Sequence, residues 1–314
     1  MKYSGIGGQA VMEGVMMKNE DRYAVAVRKP DGTIETKVED YRGPKEKSIW
    51  RKIPIVRGVI SFVESLYLGM HTLMYSASFF EDEEPNKKGK ELTEEEKEKN
   101  AKKEAREEKL MMGGTVVFSI VLAVALFFAL PYFLSSLFEK LIPSQMVLAL
   151  IEGLIRLVIF LAYIALISLT PDIKRVFMYH GAEHKCINCI EHGLELNVEN
   201  VRASSKEHKR CGTSFLLIVM LISVVFFMFI RVDAGWLRLL LRLLLIPVIA
   251  GVSFEFIRLA GRYDNWFVNL FSKPGLWMQH LTTKEPEDDM IEVGIASVEA
   301  VFDWREWQKG LQEG

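Results

Sequence analysis

The stretch TVVFSIVLAVALFFALPYFLSSLF, Thr115 to Phe138, carries no charged residue, and it exceeds the roughly 20 residues that a helix needs to cross a bilayer. Phe215 to Val232, FLLIVMLISVVFFMFIRV, is likewise free of charge until Arg231 near its end. Two further apolar blocks, Met146 to Thr170 and Trp236 to Ala260, are as long but carry Glu152 with Arg156 and Glu255 with Arg258. Four transmembrane helices are expected, and the lipid bilayer is the first partner they imply.

Orientation follows from the loops. The N-terminus, MKYSGIGGQAVMEGVMMKNED, has neither the basic start nor the apolar core of a signal peptide. Lys and Arg gather before the first span, between the second and third (Lys174 to Arg210) and after the fourth. The positive-inside bias therefore puts both termini and the central loop in the cytoplasm. The 3 cysteines suit that reducing side, where no disulfide framework is expected. With 39 basic against 41 acidic residues, nothing in the charge balance calls for nucleic acid.

Between the termini and the spans, the run Glu81 to Leu110 mixes both charge signs at i,i+4 spacing and reads as a solvated helix or linker. Ile53 to Phe80 repeats apolar residues at 53, 56, 60, 63, 67, 70 and 74, with Arg57, Ser61, Glu64 and His71 on another stripe. That is an amphipathic helix suited to lie on the bilayer or against the bundle rather than to cross. YAVAVRK and TIETKVED alternate around Pro30-Asp31-Gly32 and predict a β-hairpin, with MIEVGIASVEAVF (Met290 to Phe302) as a further candidate for the β element.

The chemistry concentrates in YHGAEHKCINCIEHG, Tyr179 to Gly193. Thr170 as N-cap, Pro171 at N1 and Asp172 in the first turn start a helix that Gly193 stops. On it His180 and His184, at i,i+4, can converge on one ion, and Glu183 completes H-x-x-E-H, the inverted zincin motif. The histidines are then ligands, and Glu183 is the base that deprotonates a metal-bound water. His208 and Cys211, just before the third span, must return to the same membrane face, so either or both supply further ligands. Two His with His or Cys suit zinc, or iron if carboxylates join.

Other residues compete for roles. Cys186 and Cys189 point elsewhere on a continuous helix and are read as packing residues. Glu191 lies seven residues beyond His184, roughly 10 Å along the axis, and supports the site from outside the ligand set. Glu255, inside the cytoplasmic end of the fourth span, needs Arg258, a metal or a proton. Glu152 and Arg156 read as an internal pair bracing the bundle. Glu13 is the ionisable group of the glycine-rich start. That segment lacks the Gly-Lys-Ser/Thr ending of a phosphate loop, and Glu13 either reaches the metal face or sits in a packing turn.

GGQAVMEGVMM, YHGAEHK, HKRCGTSFL and LTTKEPEDDMIEVGIA, in this order around hydrophobic spans, resemble the YqhQ-like family of bacterial membrane proteins, a domain of unknown function and a suspected metal-dependent enzyme. The resemblance spans nearly the whole chain. It implies functional positions at His180, Glu183, His184, Glu191, His208 and Cys211, and at Glu13, Gln279, Thr282, Thr283 and Glu285, and it does not rely on Cys186 or Cys189.

The chain is thus expected to be a mainly α, multi-pass bacterial inner-membrane protein with a small cytosolic α+β cap. Its segments are a glycine-rich part and hairpin (1–52), the amphipathic helix (53–80), the charged linker (81–113), two spans (114–170), the metal-site loop (171–214), two spans (215–260) and a cytosolic tail (261–314). A divalent metal at the bilayer-cytosol boundary would serve a hydrolase acting on a membrane-associated substrate. The rival expectation is a non-enzymatic protein whose metal is structural, bound or transported. Neither substrate identity nor oligomeric state is written in this sequence.

Overall fold

Alternating apolar residues near the N-terminus build a sheet that is covered on both faces. Strands β1 (Gly7–Val11), β2 (Gly14–Asn19), β3 (Arg22–Arg28) and β4 (Ile34–Asp40) pair antiparallel in sequence order. Side chains alternate across the pleat, so Val15, Met17 and Ala26 enter one core while Met16, Val25 and Val27 enter another. The hairpin expected around Pro30-Asp31-Gly32 is present: Lys29 N–H donates to the Thr33 carbonyl, and the Asp31 carboxylate accepts from Thr33 N–H at 2.9 Å. This computed structural model describes residues 3–41, 49–80, 113–230, 232, 234–262 and 266–312. The charged run Glu81 to Leu110 lies outside the described residues.

The helices are α1 (Pro54–Ala77), α2 (Gly113–Ser136), α3 (Gln145–Ile167), α4 (Pro171–Glu191), α5 (Val198–Ala203) and α6 (Gly212–Met228). They continue with α7 (Gly235–Arg262), α8 (Trp266–Thr282), α9 (Asp288–Val301) and α10 (Trp304–Gln312). Among the described residues 3 helices are long and apolar enough to cross a membrane: α2, α3 and the part Gly235–Ala260 of α7. The other expected span, α6, is apolar but has 17 residues, at the short limit for a crossing. On α2, Val117, Phe118, Ile120 and Val121 are 58–67% exposed, a surface that lipid, not water, would accept.

One expectation needs correction. Met290 to Phe302 is no strand: its buried residues Met290, Ile291, Gly294, Ser297 and Val298 recur at helical spacing, and Asp288 and Asp289 favour a helix N-terminus. The resulting α9 covers the sheet face opposite α1. Helix α1 forms as expected and packs against the bundle, its buried residues being Gly58, Leu68, Thr72 and Ser76, with Leu68 in the core under the sheet. Gly58 meets Gly251 of α7 so closely that a Cβ on Gly58 would stand 2.7 Å from the Gly251 carbonyl. Thr72 and Ser76 face β1, accepting hydrogen bonds from the Gln9 amide and Met12 N–H. Val63, Tyr67, Met70 and Met74, from the apolar stripe, are exposed.

The sheet is thus held between α1 and the pair α4 and α9, in one body with the His-rich helix.

Candidate metal centre

Helix α4 runs without a break from Pro171 to Glu191, and Gly193 ends it at φ 76°. Thr170 stands at the N-cap position, but its hydroxyl turns back to the Ile167 carbonyl at 2.7 Å. Continuity brings His180 and His184 onto one face, ring centroids 4.4 Å apart. Each ring is then fixed from behind. His180 Nδ1 lies 2.9 Å from the Thr282 carbonyl and His184 Nδ1 lies 2.6 Å from the Lys206 carbonyl. A carbonyl can only accept, so both Nδ1 atoms are donors and each ring turns its Nε2 inward.

The group they meet is Cys211, at the N-cap of α6, whose Sγ is 3.2 Å from His180 Nε2. One ligand atom each from His180, His184 and Cys211 lie within 4.8 Å of one another, and these three residues could hold a metal ion. The Cys211 sulfur also accepts from Thr213 N–H, at 3.4 Å, as an N-cap residue does, and a helix N-terminus favours a thiolate.

Charge follows this geometry. Burial alone would raise the Cys211 thiol, but His180 and His184 outweigh it and hold the thiol well below its usual range. Burial likewise works against a charged His180, yet the Cys211 sulfur and Glu183 lift it to about 9. Glu183, its carboxylate 3.8 Å from His180 Nε2, is raised by burial against the pull of His184, His180 and the Gly8 N–H.

Of the two expected candidates for a third ligand, Cys211 joins the cluster and His208 stands beside it. The His208 ring centroid is 5.6 Å from that of His184, and its Nε2 is 3.7 Å from Glu191. Glu191 is a hub outside the cluster. It accepts from Ser4 N–H at 2.9 Å, Ser4 Oγ–H at 2.7 Å and the Arg210 guanidinium at 2.6 Å. Burial opposes its charge, but His208, Arg210 and Ser4 win and hold it at about 2. Gln279 spans the His208 backbone, accepting from its N–H and donating to its carbonyl, both at 2.8 Å. Thr282 offers its carbonyl to His180 and its hydroxyl to Thr213, while Thr283 bonds back to the Gln279 carbonyl.

Three expected residues lie apart from the ligand atoms. Glu13 pairs with Arg175 at 2.5 and 2.6 Å and accepts from the Tyr179 hydroxyl at 3.2 Å. Glu255 accepts from Arg57 Nε–H and Nη2–H, each at 2.6 Å, with Arg258 3.6 Å away. Glu285 bridges Lys185 and Lys206 on the surface, at 3.0 and 3.2 Å. Cys186 and Cys189 are buried in the core with Tyr179, Ile187 and Ile190, as packing residues are.

Sequence reading missed Thr213, Ser4 and Arg210. Thr213 carried a signal, being two residues into a helix that Cys211 caps. Ser4 carried none.

The family model "Protein of unknown function (DUF1385)" matches residues 53–304. "Uncharacterized protein YqhQ" of Bacillus subtilis (strain 168) is 38% identical over 298 residues, covering 93% of this chain and 90% of the relative. No solved structure matches the chain.

Proposed function

This chain belongs to the DUF1385 family of proteins of unknown function, and we propose that it is a four-span inner-membrane hydrolase with a divalent-metal site on the cytosolic face. The observation that carries this reading is the orientation of two imidazoles: each Nδ1 is spent on a backbone carbonyl and each Nε2 is turned toward one thiolate. A hydrogen-bonded carbonyl behind the ring is how proteins fix a metal-ligating histidine in one tautomer. Two nitrogens and one sulfur suit zinc, and three protein ligands are the set that leaves a fourth position for substrate or water.

When bound, the ion would supply Lewis acidity toward a carbonyl or phosphoryl oxygen and acidify nearby water. Glu183 sits beside His180 with its carboxyl raised by burial, so it can take a proton from an attacking water and pass it to the leaving group. Helices of membrane-spanning length in the same chain support a membrane-associated substrate.

A rival reading, a metal that only braces the cap, draws on one observation. The His208 ring centroid lies 5.6 Å from that of His184, and a fourth ligand from His208 would make the closed shell of a structural site. One mutant set separates the two. His180→Ala, His184→Ala and Cys211→Ala should each lose most of the bound metal from purified protein. Glu183→Gln should keep metal and fold yet fail to complement a deletion strain. Full complementation by Glu183→Gln, with metal-site variants merely unstable, would leave the structural reading standing.

A further inference from the structure

Helix α8 belongs to the segment expected as a cytosolic tail, yet its sequence, WFVNLFSKPGLWMQHLT, is not that of a helix solvated on its outer side. At 3.6 residues per turn, Trp266, Leu270, Lys273 and Trp277 fall on one stripe, and Ser272, Gly275, Met278, Gln279 and Thr282 fall on the opposite side. Burial divides the helix in the same way. Trp266, Leu270 and Trp277 are 76%, 49% and 59% exposed and Lys273 is exposed between them, while the five residues of the other side are buried.

The buried side fixes the level at which α8 lies. Met278 packs with Phe160 and Ile164 of α3 and with Leu217 of α6. Ile164 is three residues from the end of α3 and Leu217 five from the start of α6, roughly 5 and 8 Å along the helix axes. A Cβ on Gly275 would stand 2.8 Å from Ser214 Oγ, in the first turn of α6. The other end of α8, Trp266, comes four residues after α7 stops at Arg262. Both halves of α8 are thus tied to the ends of apolar helices, not to their middles.

On a helix of spanning length the end is the level of the lipid headgroups, where tryptophan concentrates because its ring is apolar and its N–H is a donor. Exposed apolar surface continues from α8 onto the same ends, with Tyr163, Leu166 and Leu169 at and just after the end of α3 and Leu259 near the end of α7. A protein partner would bury Lys273 in the middle of the stripe. On a bilayer the lysine stem lies along the acyl chains while its ammonium reaches the phosphates.

We propose that α8 is an interfacial helix whose partner is the lipid surface, with Trp266, Leu270 and Trp277 in the boundary between headgroups and acyl chains. The proposal rests on the reading of α3 and α7 as spans. The opposite side of α8 carries Gln279, which holds the His208 backbone, and Thr282, whose carbonyl orients His180. A helix is about 10–12 Å across, so one helix thickness separates the headgroups from the groups that hold these histidines.

The test places a nitroxide spin label at Leu270→Cys in the full-length protein, reconstituted in nanodiscs of phosphatidylethanolamine and phosphatidylglycerol. Labels at Glu35→Cys on β4 and Val121→Cys on α2 are the water and hydrocarbon references, and the buried native cysteines take no label. Oxygen concentrates in the bilayer and a nickel chelate in water. The ratio of oxygen to nickel accessibility at Leu270→Cys should therefore be several-fold above that at Glu35→Cys and below that at Val121→Cys. A ratio equal to that at Glu35→Cys puts this side of α8 in water and overturns the proposal. Exclusion of both reagents shows that protein covers it, a second copy included, and overturns the proposal as well. Nickel access at Val121→Cys would remove the span reading and the proposal with it. If Leu270→Cys does not fold, a label at Trp277→Cys on the same stripe decides by the same criteria.

Discussion

His180 is expected to carry a proton at Nε2 that an incoming ion would displace. Its pKa is lifted to about 9 beside a Cys211 thiol that the two imidazoles hold well below its usual range, so binding at neutral pH should release about one proton per ion, from the imidazole. Apparent affinity should therefore fall roughly tenfold per pH unit as pH drops below 9 and level off above it. Calorimetry in buffers of different ionisation enthalpy counts that proton directly, and a count of zero would show that His180 is neutral. Glu191 works the other way. Its carboxyl is depressed from an ordinary value of 4.5 to about 2, so its contribution to stability is complete above pH 4.5 and is lost as pH falls through 2. Glu191→Gln should cost about 1–3 kcal/mol at pH 7 in denaturant unfolding, since Ser4 and Arg210 lose a charged acceptor.

At the scale of elements, α4 depends on how closely the chain after α8 can approach it. A Cβ on Gly181 would stand 2.0 Å from the Lys284 carbonyl, and Lys284 N–H donates to the Phe177 carbonyl at 2.9 Å. This contact fixes the backbone whose Thr282 carbonyl orients His180. Gly181→Ala should force the two apart, destabilise by about 1–3 kcal/mol or more, and weaken metal affinity although no ligand is touched. Metal titration of the refolded variant checks it, and wild-type affinity would show that the Thr282 carbonyl is dispensable. This coupling also explains what could be read from sequence. His180, Glu183 and His184 are legible because i,i+4 spacing is a local property of a helix, and the apolar blocks are legible because their length is. The choice between His208 and Cys211 is not, because it depends on the Gln279 amide holding the His208 backbone from 71 residues away. Ser4 reaches Glu191 across 187 positions, with no pattern to announce it. Met290 to Phe302 misled because a short apolar run alternates and also repeats at helical spacing, and only its docking on the sheet decides between the two.

At the scale of the whole molecule, packing links segments that are far apart in sequence. Ser4 bonds to α4, β1 and β2 pack on α4, α9 lies against β2 and β3, and Arg28 reaches Glu292 at 2.9 Å. The N-terminal strands, the His-rich helix and α9 should therefore share one side of whatever membrane the apolar helices cross, and the positive-inside bias predicts the cytoplasmic side. The connection between α2 and α3 lies a full span away from α4, because α3 separates them. Single cysteines at exposed positions distinguish the sides: Glu35→Cys on β4, Leu194→Cys after α4 and Lys309→Cys on α10 against Lys140→Cys between α2 and α3. In intact cells an impermeant maleimide should label Lys140→Cys and leave the other three unmodified until the membrane is opened. Native cysteines do not confuse the readout, since Cys186, Cys189 and Cys211 are all buried. Labelling of Glu35→Cys from outside, with Leu194→Cys protected, would separate the sheet from α4 and break the packed body on which the reading of the site rests. Labelling of all three from outside would keep that body and reverse its orientation, moving the metal centre to the opposite face.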